Sequence, residues 1–227
     1  MESGRLVYTI ARECILKNTG PRVRRTKEES EQTRRRIIAA ARRVFARQGV
    51  RRTTLEEVAQ AAGVTRGAIY WHFAGKTDLF YAMREQVSLP TIDTGFASSA
   101  SDAADPLGSA ERYLRGVVAS LQDPAARETF RIMTFKCEYV GELERELGRQ
   151  RSRCAELTGR LAQVYRRAQR AGQLRRGLAP AAAALATCGF LIGFVRLWLM
   201  DGAGGPVRKR AGAIIKSHID GYRRKGR

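Results

Sequence analysis

The stretch that decides the fold is TTLEEVAQAAGVTRGAIYWHF, Thr53 to Phe73. Thr54 followed by Glu57 makes a capping box, in which the threonine oxygen and the glutamate carboxylate each satisfy a free amide at a helix start. It predicts a helix over about Leu55 to Ala62. Gly63 permits a tight turn, Val64 plugs the angle between two helices, and Thr65 is placed to cap a second, short helix. Helical spacing then sorts the second helix. Ala68, Ile69 and Phe73 can face its neighbours, while Arg66, Gly67, Tyr70 and His72 lie toward the open side. Trp71 either touches a phosphate or shields the junction with the next helix. Small residues let a helix backbone sink into the major groove, Arg66 can reach guanine edges bidentately, and Thr, Tyr and His bond phosphate oxygens. A helix-turn-helix unit that meets DNA is the reading these residues support.

Upstream, Arg22, Arg24, Arg25 and Lys27 form a basic arm. Ile37, Ile38, Ala41, Val44 and Phe45 then recur at helical spacing, and Gly49 closes that helix. Residues 1–22 lack clear periodicity and are expected to be a poorly ordered extension. Downstream, Leu79, Phe80, Met83 and Val87 predict a helix from about Lys76 to Leu89, stopped at Pro90. Thr91 to Asp105 reads as a loop. Four or five further helices are expected, at about 106–121, 124–136, 142–171, 179–200 and 207–224. No segment alternates with period two, so the chain reads as all-α: an extension over 1–22, a three-helix DNA-binding unit over 23–73, and a helical bundle over 74–227.

The chain has 227 residues, 44% of them hydrophobic, enough for a proper core. Its formal charge of +20 favours a polyanionic partner, nucleic acid before an anionic membrane. The basicity comes from 35 Arg against 7 Lys, a preference that GC-rich codon usage also produces. Cys14, Cys137, Cys154 and Cys188 have no metal or disulfide spacing, which points to reduced thiols in a cytoplasmic protein with no metal and no cofactor. The run from Ala181 to Met200 has nearly the length of a membrane span, yet Arg196 interrupts it, and a buried or interface helix explains it better.

Enzymatic readings fail on the same residues. Gly75-Lys76-Thr77 imitates the end of a phosphate-binding loop, but that motif needs glycine where Tyr70 stands and a strand before it. His72 and His218 have no nucleophile beside them. Glu142, Glu144 and Glu146 are expected on a solvated helix face with Arg145 and Arg149. The arginines between Arg149 and Arg176 share a helix with an apolar stripe of Leu157, Leu161, Val164 and Ala168, so a basic exposed face is the expectation.

Residues 23–89 resemble the DNA-binding domain of the TetR family of bacterial transcriptional regulators, on the strength of TTLEEVAQAAGVTRGAIYWHFAGKTDLF. VRRTKEESEQTRRRII, DPLGSAERYL and FKCEYVGELE are further similar to its multidrug-efflux repressor branch, of the AcrR and TtgR type. The resemblance implies an all-helical homodimer on a semi-palindromic operator, joined through the last two helices of each subunit. It also implies an apolar pocket for drug-like or aromatic effectors, at Val87, Tyr113, Leu114, Val117, Phe130, Met133, Thr134, Leu157, Leu161, Cys188, Leu191, Ile192 and Val195.

The expected mechanism is ligand-responsive repression. Arg66, Gly67 and Ala68 read bases. Thr54, Thr65, Tyr70, Trp71, His72 and Lys76 meet the backbone, and Arg24, Arg25 and Lys27 reach flanking DNA. The alternative is a thiol-redox regulator of the same fold, for which the spacing of Cys137, Cys154 and Cys188 offers no resolving pair.

Overall fold

A computed structural model describes residues 27–87 and 104–224. The arm residues Arg24 and Arg25, the extension over 1–22, Cys14, Pro90 and most of the expected 91–105 loop lie outside them. Among the described residues the chain forms nine α-helices. They are α1 Lys27–Gln48, α2 Leu55–Ala62, α3 Arg66–His72, α4 Lys76–Glu85, α5 Pro106–Ser120, α6 Pro124–Phe135, α7 Glu144–Arg170, α8 Pro180–Met200 and α9 Pro206–Asp220. A 3-10 turn, Gly141–Leu143, leads into α7.

The chain divides into two compact units, 1–36 and 37–227. In the first, the opening turns of α1 are described; there Thr33 donates from its hydroxyl to the Glu29 carbonyl at 2.9 Å.

The helix starts are written locally. Thr54 accepts from the Glu57 amide at 3.2 Å while Glu57 accepts from the Thr54 amide at 2.8 Å, closing the expected capping box. Asp105 and Asp123 cap α5 and α6, accepting from the amides of Gly108 and Ala126. Pro106, Pro124, Pro180 and Pro206 open four bundle helices, where a missing N–H costs nothing. Gly63 ends α2 at φ 64°, a left-handed conformation that a side chain would strain. Gly49, at φ 85°, closes α1, and an added Cβ there would lie 3.3 Å from the Lys136 carbonyl.

Two apolar cores follow. One joins Ile37, Ile38, Val44 and Phe45 of α1 to Val58 of α2, Ile69 of α3 and Leu79, Phe80 and Met83 of α4, with Ile132 of α6 added. The other fills the bundle, with Leu107, Leu114, Leu161, Tyr165, Phe194, Trp198, Ile215 and Ile219 among its members. The segment after α7 meets the end of the chain through one antiparallel bridge, Leu174 with Arg223.

Polar links tie the first core to the bundle. Arg42 is buried, donating from Nε to Thr129 Oγ1 of α6 at 3.1 Å and from Nη2 to Gln86 Oε1 at 2.8 Å. Glu146 corrects an expectation. Its side chain is completely buried rather than solvated, paired at 3.2 Å with Arg84 of α4 and at 3.8 Å with Arg149. Tyr81 accepts the Arg149 guanidinium on its ring face, 4.6 Å from the centroid. The expected helix from Lys76 to Leu89 is shorter, ending at Glu85.

Candidate nucleic-acid interface and bundle interior

The second helix of the helix-turn-helix, α3, starts where Thr65 Oγ1 accepts from the Ala68 amide at 3.2 Å, a bond that does not use the hydroxyl proton. Ile69 and Phe73 are buried in the first core, as their spacing implied. Arg66, Gly67 and Tyr70 are exposed, and Ala68 is half-buried between the two faces. Arg66 Nη2 donates to Tyr70 Oη at 3.1 Å, one turn along, and this bond holds the guanidinium above its ordinary pKa range.

Trp71 is 80% exposed, which removes the reading that it shields the next junction. His72, expected on the open side, is half-buried instead, its ring tilted against Phe73 at 6.2 Å; it stands three residues on from the buried Ile69, next to the inward face of the helix. Thr54 is exposed, but its hydroxyl donates to Glu57 and accepts from the Glu57 amide, so the capping box consumes it. Lys76 Nζ donates to the carbonyls of Arg51 at 2.8 Å and Thr53 at 2.9 Å. It pins the turn before α2, keeping one N–H donor of three for anything outside. Lys27 is exposed.

The bundle residues expected around an effector divide three ways. Tyr113, Leu114, Val117, Leu157, Leu161, Cys188 and Leu191 lie in the bundle core, with Phe130 and Val195 packed against it. Val87 and Thr134 are half-buried, and Met133 packs against the other core, with Ile132. Ile192 is contradicted. It is 54% exposed, on the outer face of α8 with Leu185, Leu197 and Met200, because it lies about a quarter-turn from Leu191 around the helix. Gly189 and Gly193 are on that face too, with open space where a Cβ would stand.

Burial pushes the Tyr113 hydroxyl up to about 12, with Cys188 and Glu156 adding to it and Arg153 opposing. Deeper in, Tyr165 Oη and Thr187 Oγ1 lie 2.6 Å apart, and Thr187 Oγ1 lies 3.1 Å from His218 Nε2. His218 stacks on Phe190 at 3.9 Å, and desolvation lowers its pKa. Cys188 of α8 is buried in the bundle core and Cys154 of α7 packs half-buried against that core.

An exposed, arginine-bearing second helix on a capped turn, carried by a helical bundle with an apolar core, defines a helix-turn-helix DNA-binding regulator. Residues 37–83 match the family described as bacterial regulatory proteins, tetR family, and residues 105–224 match the C-terminal region of MAATS-type transcriptional repressors. The chain is 37% identical over 179 residues to the HTH-type transcriptional regulator TtgR of Pseudomonas putida, covering 78% of this chain and 85% of that one. Among solved structures it is similar to NalD, the secondary repressor of the MexAB-OprM multidrug efflux pump in Pseudomonas aeruginosa. That likeness has a TM-score of 0.74 and 31% identity, covering 87% of this chain and all of the other. It is also similar to SmeT in complex with triclosan, at TM-score 0.66 and 26% identity over 86% of this chain and 93% of that one. The chain belongs to the TetR family, close to the AcrR and TtgR type of multidrug-efflux repressors, and is a regulatory rather than catalytic protein.

Proposed function

We propose that this protein represses a multidrug-efflux operon and leaves its operator when an apolar or drug-like effector enters the bundle. The observation that carries the reading is the exposed Arg66–Tyr70 pair at the start of a capped α3, in a chain whose relatives include efflux-pump repressors. Arg66, Gly67 and Ala68 address base edges. Thr65, Tyr70 and Trp71 address phosphates, joined by the arm residues Arg24, Arg25 and Lys27. Thr54, His72 and Lys76 act less directly than their positions suggested, by fixing the helix-turn-helix shape. Residues 23–73 serve as the DNA-binding unit and 74–227 as the effector and dimerisation unit.

The outer face of α8, apolar except for Arg196 and with two bare glycines, supports close packing of a second copy. Tyr113, Leu157, Leu161, Leu191 and their neighbours supply the apolar wall that an effector needs, with Tyr113 as a polar group among them. SmeT, which is known with triclosan bound, supports an aromatic effector. Effector binding acts by differential affinity for two arrangements of α4 and the reading heads. Footprinting on the promoter beside the protein's own gene, followed by titration of a compound panel against the labelled operator, tests the reading. Release by no compound would remove the drug-effector part, and the absence of a footprint would remove the repressor part.

The thiol-redox alternative would act through the free cysteines Cys137, Cys154 or Cys188. Burial pushes the Cys154 thiol up, which withholds the thiolate that peroxide chemistry needs.

A further inference from the structure

We propose that Tyr81, Arg84 and Glu146 form a half-satisfied joint between α4 and α7 with two arrangements, and that these residues position the reading head for DNA release. The regulatory part rests on the repressor reading above.

Helical spacing builds the joint. Thr77, Tyr81 and Arg84 share one face of α4, while Leu79, Phe80 and Met83 turn into the first core with Ile69 of α3. Glu142, Glu146 and Arg149 repeat the same spacing where α7 begins. The Thr77 hydroxyl donates to Glu142, Arg84 Nη1 donates to Glu146 Oε1 at 3.2 Å, and the Arg149 guanidinium stands 4.6 Å from the Tyr81 ring centroid. One side of α4 thus holds the reading head, and the other meets a helix of the bundle.

That meeting is incomplete. Glu146 is completely buried, yet its Oε2 has no hydrogen-bond partner among the described residues; Arg149 Nη1 stands 3.8 Å from it, too far to bond. Arg84 Nε and Tyr81 Oη are likewise buried and unbonded among the described residues. A buried polar atom without a bond keeps the full cost of leaving water. Three such atoms in one cluster mark an arrangement that a small shift of α4 against α7 exchanges for another with different pairings. The end of α4 supplies a pivot. There Gln86 Oε1 accepts from Arg42 Nη2 at 2.8 Å, and Arg42 Nε donates to Thr129 Oγ1 of α6 at 3.1 Å.

The far side of the joint leads to the effector wall. Leu157 and Leu161 lie on the same buried face of α7 as Glu146, roughly 17 to 23 Å along the axis at about 1.5 Å per residue. A compound seated against them bears on the helix that carries Glu146, and favours the pairing of Arg84 and Glu146 that fits its presence.

The test begins with the free, full-length protein. The chain has four methionines, and Met83 of α4 is buried in the first core. Methyl-13C-methionine labelling should show millisecond relaxation dispersion at Met83 in the parent. Tyr81→Phe removes one unbonded hydroxyl and keeps the ring, and Arg84→Met/Glu146→Leu removes the buried charges; each should reduce the dispersion severalfold at parental circular dichroism. If the double variant fails to fold, Tyr81→Phe decides alone. A parent without dispersion at Met83, or dispersion unchanged in a folded variant, overturns the joint. The regulatory part uses a duplex that the protein selects from random sequence, with triclosan as the probe compound. Binding of the duplex should quench the Met83 dispersion, since DNA selects one arrangement, and dispersion that persists on DNA overturns this part. Folded variants should hold the duplex at parental affinity and need roughly tenfold more triclosan for half release, whereas release at the parental concentration overturns it too. A parent that triclosan leaves on DNA counts against the drug-effector reading, and the methionine results still decide the joint.

Discussion

Arg66 donates to Tyr70 Oη at 3.1 Å, with its guanidinium carbon 5.5 Å from the Tyr70 ring centroid. Residues four apart share a helix face, so the pair presents a cation and a phenol together on the exposed side of α3. Replacing Arg66 with alanine is expected to lower the ratio of operator to scrambled-DNA affinity roughly ten- to hundredfold. Tyr70→Phe keeps the ring and frees the guanidinium, giving a smaller loss in the same direction. Fluorescence anisotropy with both duplexes measures this; an unchanged ratio for Arg66→Ala would remove the base-reading role.

Lys76 holds two carbonyls of the turn before α2. Lys76→Met leaves both without their charged donor, and stability should fall by about 1–2 kcal/mol in urea melts. If the remaining N–H also meets a phosphate, the slope of log affinity against log salt shrinks by about one. A variant with parental melting and an altered slope would instead make Lys76 chiefly a DNA contact.

Glu146 is a buried carboxylate whose nearest cation is Arg84 at 3.2 Å. Glu146→Ala strands that guanidinium at the α4–α7 junction and is expected to cost about 3–5 kcal/mol. The double change Arg84→Met/Glu146→Leu should recover much of it, since an apolar pair removes the charge that was stranded. Denaturant unfolding of the three proteins decides the point.

His218 has its pKa lowered from the ordinary 6.5 because burial against Phe190 and Thr187 disfavours the charged ring. Between the lowered value and 6.5 the unfolded chain therefore binds more protons than the folded one. The stability this group contributes is intact above pH 6.5 and is lost as pH falls through the folded pKa. His218→Gln should flatten the dependence of melting temperature on pH just below 6.5; an identical slope in the two proteins would deny the assignment.

Ile192 stands outward on α8 beside Gly189 and Gly193. Ile192→Arg places a charge on that face and is expected to shift the protein from dimer to monomer in sedimentation velocity. Effector affinity per chain should stay near the parent's. A dimer with impaired effector binding would return Ile192 to the pocket.

Much of this protein was legible because its signals are local. The capping box at Thr54 and Glu57, the glycine at position 63 and the first-turn prolines act through backbone groups a few residues away. The buried faces of α1 and α3 were equally readable, since a single apolar period defines them. The sequence is hardest to read where a side chain's surroundings depend on a partner distant in the chain. Glu146 resembled its solvated neighbours because Arg84 lies on another helix. Nothing in the stretch around Lys76 reveals that the Arg51 and Thr53 carbonyls turn toward it.

What the sequence by itself determined is the all-α order of elements, the helix-turn-helix and the face of α3 that carries Arg66, all consequences of helical period and terminal amide chemistry. Tertiary structure alone decided which face of α8 turns inward, seating Cys188 and Leu191 in the core and leaving Ile192 outside. It alone set Tyr165 Oη of α7 2.6 Å from Thr187 Oγ1 of α8. Both outcomes depend on how α7 and α8 pack side by side, and helix packing is set by surfaces assembled from residues far apart in the chain.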